Sequence, residues 1–292
     1  MISRRSFLSG SALGAAALRL GAASATQRLP HHFTGPYGLQ LYSLRTQLQA
    51  DVPGTLQQIQ ADGYTEVEAA GMYGLSAPEF RGHLDHAGLK CTSMHADAGR
   101  FENEFDTVLA EARTLGVEYV ICSSFDWQRR NSLTAEDFRH RASQFNQWAK
   151  RLRSHRLHFG YHNHDFEFRQ VSGGRGMDLL IEKTNPGLVD FEMDVFWVKR
   201  GGQDPVAYFH RFPHRFRLLH VKDMRSGTPI GDFSVGTSEE ASVPLGTGIL
   251  DVPAILRAAA HAGVRRYYVE DESAEAPEGI KQSLKYLKQV RL

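Results

Sequence analysis

From residue 37 onward the chain repeats one unit: a short apolar run, an amphipathic segment, and a glycine that stops it. Asp62-Gly63-Tyr64, Ala87-Gly88-Leu89, Leu115-Gly116-Val117 and Ala262-Gly263-Val264 each place Gly where a helix would end in the left-handed conformation, with an apolar residue where the next strand begins. The units recur about every 25–30 residues in the first half, the size of one βα repeat. Strands are expected at 38–44, 65–69, 90–96, 118–123, 157–164, 188–194, 216–222 and 266–271. The amphipathic segments between them are 53–61, 77–87, 104–115, 134–155, 177–183, 204–211 and 252–262, and a last helix is expected at 277–289. Strict strand-then-helix order dictates parallel strands. Eight of them predict an α/β fold closed into a single-domain (β/α)8 TIM barrel rather than an open sheet.

Two stretches break the rhythm, 171–176 and 224–251, and in such a barrel both would lie on the C-terminal face, where active sites are built. The Gly246-Thr247-Gly248 turn in the second reads as the hinge of a loop closing over the mouth, since the Lys-Ser/Thr of a phosphate-binding loop is absent.

Residues 1–25 read as a targeting segment rather than as part of the fold. Ser3-Arg4-Arg5-Ser6-Phe7-Leu8 resembles a twin-arginine export signal, and Ala23-Ser24-Ala25 ends the following Ala/Gly-rich run like a cleavage site. A periplasmic or secreted protein is expected, with a mature linker at 26–36 and the barrel at 37–292. No later run is long or apolar enough to cross a bilayer. Lys plus Arg exceeds Asp plus Glu by one, 34 against 33, so bulk charge favours neither nucleic acid nor anionic lipid, and a small neutral partner such as a sugar or glycoside is expected. Cys91 and Cys122 fall in expected strands, as buried small hydrophobes or as a disulfide between neighbours.

The strand ends carry the chemistry. HFGYHNHDFEF, residues 158–168, alternates so that His162 and His164 share a face, and three later strands finish in Asp194, His220 and Glu270. On the same alternation Gln40, Tyr42, Glu66, Glu68, Ser93, His95, Glu192 and Lys222 face inward, while Leu39, Val67, Met94, Tyr161, Phe191, Leu219 and Val269 face outward under the helices. Four apolar strands each end in a potential metal ligand, at His162 and His164, Asp194, His220 and Glu270, which is hard to explain as packing. A two-His, two-carboxylate shell suits Mn2+, Zn2+, Co2+ or Fe2+. Glu270, His164 and Lys222 are the expected catalytic groups, and Glu68, His95, Trp197 and Tyr42 the expected substrate contacts, with Trp197 and Phe196 as an apolar wall for a sugar ring.

Eight stretches in order carry a family likeness: GLQLYSLR at 38–45, Gly63-Tyr64 leading into VEAAG, MHAD at 94–97, YHNHDFEF at 161–168, DVFWV at 194–198, HVKD at 220–223, PLGTGILD at 244–251 and VED at 269–271. The chain from residue 37 to its end resembles the xylose isomerase-like superfamily of sugar phosphate isomerases and epimerases. That resemblance implies one cation bound by Glu, Asp, His and Glu at the ends of the fifth to eighth strands. Carried over, those positions are His162, Asp194, His220 and Glu270, and the histidine in the first removes one of the two metal-bound carboxylates that epimerisation uses. The implied activity is a metal-dependent sugar isomerase or epimerase working through an enediolate-type intermediate on a non-phosphorylated sugar. A lyase or hydratase acting on 3-keto-glycosides is the alternative, and a sugar-binding barrel without catalysis a minor one. A DNA-repair nuclease, also found in the superfamily, would need more ligands and a basic groove.

Overall fold

The computed structural model describes residues 33–233 and 238–292. Eight parallel strands close a barrel: β1 (Gly38–Gln40), β2 (Glu66–Ala69), β3 (Lys90–Ala96), β4 (Tyr119–Cys122), β5 (His158–His162), β6 (Val189–Asp194), β7 (Phe216–Val221) and β8 (Arg266–Val269), in that order around the ring. The expected fold is therefore the observed one. The expected export segment, residues 1–25, lies outside the described residues, as does most of the linker that follows it.

The main helices, α1 (Val52–Asp62), α2 (Ala77–Ala87), α3 (Phe105–Leu115), α4 (Ala135–Ser154), α5 (Gly176–Lys183), α6 (Pro205–Arg211), α7 (Val252–Ala262) and α8 (Ala276–Gln289), pack outside. Four end as their glycines require: Gly63, Gly88, Gly116 and Gly263 sit at φ +105°, +72°, +71° and +87°, where a β-carbon would be strained. At the other end, Asp51, Thr134, Asp204 and Asp251 accept a backbone N–H within the first turn.

Between helices and strands lies one continuous apolar layer, which includes Leu39, Val67, Met94, Val120, Phe159, Phe191, Leu219 and Val269. Inside the barrel a second, small cluster of Tyr119, Ile121, Leu218 and Tyr268 plugs the base. A polar layer lies above it. Simple alternation holds except at two register shifts, where Glu68 pairs with Ser93 and Glu192 pairs with Leu218, leaving Thr92 and Arg217 as extra residues. Those bulges turn Cys91 and Phe216 outward into the apolar layer.

Two expectations are corrected and one left open is decided. β1 stops at Gln40 because the chain turns into a 3-10 helix at Leu41–Leu44, so Tyr42 leaves the strand ladder. Both cysteines are free and buried: Cys122 pairs with Ala96, which is about 16 Å along β3 from Cys91, too far for a disulfide. The Gly246-Thr247-Gly248 turn is pinned rather than hinged. Asp223, 1% exposed, accepts the backbone N–H groups of Met224, Gly246, Gly248 and Leu250 at 2.8–3.0 Å. A β-carbon at Gly248 would stand 2.3 Å from its Oδ1.

Replacing Asp223 by Ala leaves those four donors without their acceptor. Urea unfolding is expected to show a loss of about 3 kcal/mol, with faster amide exchange confined first to residues 244–251.

Candidate active site at the barrel mouth

The inward side chains at the strand ends stack into two storeys. The lower storey is made of Gln40, Glu68, His95 and Glu192. Glu68 Oε1 accepts from Gln40 Nε2 at 2.6 Å and lies 3.0 Å from His95 Nε2 and 2.7 Å from His220 Nε2. Glu192 Oε2 lies 2.9 Å from His95 Nε2 and 3.2 Å from both His162 Nδ1 and His220 Nε2. Both carboxylates are fully buried. Burial opposes their ionisation, yet the neighbouring imidazoles outweigh it and hold both carboxyls below the usual range, Glu192 at about 2. Burial likewise opposes charge on His95, and the two glutamates overcome it, raising its pKa to about 10.

The upper storey brings together three of the four expected ligands, Asp194, His220 and Glu270, whereas His162 groups with His95, Glu192 and His220 below. Asp194, 0% exposed, caps the helix that follows it by accepting from Trp197 N at 3.0 Å through Oδ1. Its Oδ2 is buried without a hydrogen-bond partner. That orphan oxygen stands 3.8 Å from His220 Nδ1 and 4.0 Å from His162 Nε2, and Glu270 Oε2 lies 2.9 Å from the same His220 nitrogen. Asp194, His220 and Glu270 form one group of donor atoms within 4.8 Å of one another, and His95, His162, Glu192 and His220 form a second. His162 and His220 therefore each turn one ring nitrogen upward and rest the other on a lower carboxylate, the arrangement that fixes an imidazole for metal ligation. The donor set fits a divalent cation.

Lys222 completes the upper storey. Its ammonium, 1% exposed, lies 3.5 Å from Asp194 Oδ2 and 3.2 Å from Glu270 Oε2, and also bonds Glu272. Burial disfavours its charge, but those three carboxylates keep the amine protonated. His164 differs from its fellow at 162. It sits among aromatic rings, with centroids 4.8 Å from Trp127 and 5.4 Å from Trp197, and its buried Nδ1 has no partner. Burial and the Lys222 charge push its pKa down to about 3, so the ring is neutral.

Over this stack opens a cavity of about 470 Å³, within the range of small-molecule sites. His95, His162, His164, Trp197, Tyr42 and Glu270 reach it. Tyr42 does so from its 3-10 turn, 42% exposed, rather than from a strand. Two expected positions differ. Glu68 has no surface in the cavity, because it is the floor under His220; Phe196, fully buried, packs with Met224 behind Trp197 and leaves the wall to that indole.

Glu192, two residues before Asp194 on the inward alternation, had been legible as facing the mouth but not as the support of both histidines. Trp127, Arg130, Ser123, Ser124 and Glu272 also line the cavity and had not been singled out. Glu272 follows Glu270 at the same two-residue spacing, whereas the 123–130 segment lies in a loop with no periodic signal. Glu167, fully buried, accepts the Tyr161 hydroxyl and the backbone N–H of His164 at 3.0 Å, fixing the turn that presents His164.

A closed parallel barrel whose C-terminal rim gathers histidines and carboxylates over a sugar-sized cavity defines the class of (β/α)8 barrels with a polar mouth site. Within that class the chain belongs to the xylose isomerase-like TIM barrel family, whose profile matches residues 56–290. A curated relative, inosose dehydratase of Geobacillus kaustophilus, is 26% identical over 204 residues, 60% of this chain and 66% of that protein. A sugar phosphate isomerase/epimerase from Parabacteroides distasonis superposes with a TM-score of 0.74 at 25% identity, covering 88% of this chain and 99% of the other. The IolI protein, whose structure holds a bound zinc atom, shares the fold at a TM-score of 0.67 and 16% identity, over 85% of this chain and 95% of its own.

Replacing Glu167 by Ala is expected to cost about 2–3 kcal/mol in chemical unfolding, since a buried acceptor shared by a tyrosine and a backbone amide is lost.

Proposed function

We propose that this chain is a divalent-metal-dependent enzyme that removes the proton beside the carbonyl of a non-phosphorylated sugar and then expels a substituent from the next carbon, as a lyase or dehydratase does, with a 3-keto-glycoside as the substrate class. One observation carries the choice of reaction. The two carboxylates lining the cavity, Glu270 and Glu272, both rise from the end of β8, while the wall formed by the end of β5 carries His162 and His164. Epimerisation by two carboxylates needs one on each face of the carbon; elimination needs one base and a polar partner across from it.

Glu270 is the base. Its Oε2 is held by His220 Nδ1 and Lys222 Nζ, which leaves Oε1 for the substrate proton. The Lys222 ammonium stands beside the carboxylates, where it offsets negative charge that develops during proton removal. His164 Nδ1, without a protein partner, is placed to hydrogen-bond the substrate oxygen on the opposite wall. Trp197 lies under the cavity as a face for the sugar C–H groups, and its N–H cap on Asp194 fixes both side chains together. A divalent cation held by His162, Asp194, His220 and Glu270 would supply Lewis-acid polarisation of the carbonyl. The dehydratase named among the relatives supports this reading, and export, if residues 1–25 direct it, would place the protein where sugar phosphates are scarce. Arg130 is the single Lys or Arg side chain lining the cavity among the described residues and lies against Trp127, while His95 is engaged by Glu68 and Glu192, so no cluster of free cations offers a phosphate site.

A second reading, aldose–ketose isomerisation, shares the first proton removal and is supported by the relative named isomerase/epimerase. Incubation of metal-loaded protein with aldoses and with 3-keto-glucosides in heavy water separates the two. Aglycone release to an unsaturated product that has lost the hydrogen beside the carbonyl, with solvent deuterium at that carbon in recovered substrate, is the expected result, whereas ketose formation without release would establish the isomerase. Replacing Glu270 by Gln is expected to lower kcat by about 10²–10⁴.

The metal is tested on its own. Purified protein is expected to carry about one divalent cation per chain by elemental analysis, and Asp194→Ala to lose it. Glu192→Gln, which changes no ligand, is expected to weaken cation affinity about 10–100-fold by freeing the undersides of His162 and His220.

A further inference from the structure

We propose that the outer part of the cavity is an aglycone subsite that takes a flat aromatic ring against Trp127, so that the substrate is an aryl glycoside; this rests on the reading above that the substrate is a glycoside. Four large hydrophobic side chains are exposed among the described residues, Tyr42, Trp127, Ile230 and Ile249, and two of them line this one cavity. Trp127 is 39% exposed. Leaving so large an apolar surface in water is unfavourable, so it needs a reason.

The indole is also held in place by machinery that serves nothing else in the site. The residue before it, Asp126, adopts φ +46°, a left-handed conformation that costs a non-glycine residue stability. That strained turn is anchored by Arg141, 6% exposed, whose guanidinium donates to Asp126 Oδ2 at 3.1 Å and to Glu102 Oε1 at 2.7 Å. The single 3-10 turn that carries the indole, Trp127–Ser132, is clamped at its far end by Arg169, which donates to the carbonyls of Arg130, Asn131 and Leu133. Two guanidinium groups thus fix both ends of a six-residue turn that buries none of its own side chains. On the ring itself, Arg130 stacks with its guanidinium carbon 4.7 Å from the centroid, and His164 meets it edge-on at 4.8 Å. These contacts hold the indole in place without a ligand, and such preorganisation lowers the entropic cost of stacking.

Chemistry separates an aromatic ring from a second sugar. A second sugar brings several hydroxyl groups that need partners, yet Ser123, Ser124 and Arg130 are the polar side chains on the loop after β4 that reach this part of the cavity. Those few groups suit a ring with one or two polar substituents. Tyr42, from the opposite side of the mouth, and Ala70 add apolar surface. The sugar itself has its own wall in Trp197, beside Glu270 and His164, so Trp127 is left to the group the sugar carries.

The test is a binding measurement on the metal-loaded full chain and needs no turnover. Isothermal titration with methyl glucoside, phenyl glucoside and a glucose disaccharide is expected to give phenyl glucoside an affinity about tenfold above the methyl compound, the worth of one good stacking contact. Trp127→Ala is expected to erase that preference and Trp127→Phe to keep part of it, with circular dichroism and Tm of both variants confirming the fold. Equal affinity for phenyl and methyl glucosides, or a phenyl preference that survives Trp127→Ala, overturns the proposal. A disaccharide that binds as tightly as phenyl glucoside with the same dependence on Trp127 overturns it in favour of a second sugar. If the 3-keto-glycoside assay shows no elimination while the Trp127-dependent phenyl preference holds, the reaction reading fails and the subsite stands.

Discussion

The structure depends on one buried electrostatic bargain. Glu68, Glu192, Asp194 and Glu270 bring four carboxylates into the barrel mouth, three of them fully buried, and each is matched by an imidazole or by the Lys222 ammonium. Ions taken out of water are expensive, and such a cluster survives only when each charge lies against its opposite. His95, His220 and Lys222 all have their charged forms stabilised by these carboxylates, so three cations face the four carboxylates, and Asp194 Oδ2 is left without a hydrogen-bond partner.

The rest of the fold can be understood as the frame that holds this cluster still. The apolar layer outside the strands fixes the register, and the register fixes which side chains meet: Asp194 opposite His220, and His162 opposite Glu192. The plug of Tyr119, Ile121, Leu218 and Tyr268 keeps water from entering from below, which strengthens every interaction above it. Glutamates at the base have other work. Glu66 and Glu118 pair with Arg266 at 2.7–3.0 Å near the start of β8, a contact that closes the ring on the side away from the cavity.

Some residues read correctly because local rules govern them. Gly63, Gly88, Gly116 and Gly263 end helices since no other residue reaches that conformation without strain, and the alternation that set His162 and His164 on one face is a property of any strand. Others did not. Tyr42 looked like a strand residue because its neighbours are apolar, but Gln40 accepts the Tyr42 backbone N–H and the chain turns into a helix four residues before the expected strand end. Glu68 looked like a substrate contact, and only the depth of its register beneath His220 shows it to be a support.

The sequence by itself determined the number and direction of the strands and the inward and outward faces of most of them, because each follows from periodicity within a single element. Which histidine nitrogen faces up, which glutamate lies beneath, and the exposed indole at Trp127 were decided by tertiary structure alone. Those features arise between strands distant in sequence, or in a loop whose shape is set by Arg141 and Arg169 reaching in from elsewhere, and no local pattern encodes a contact made across the barrel.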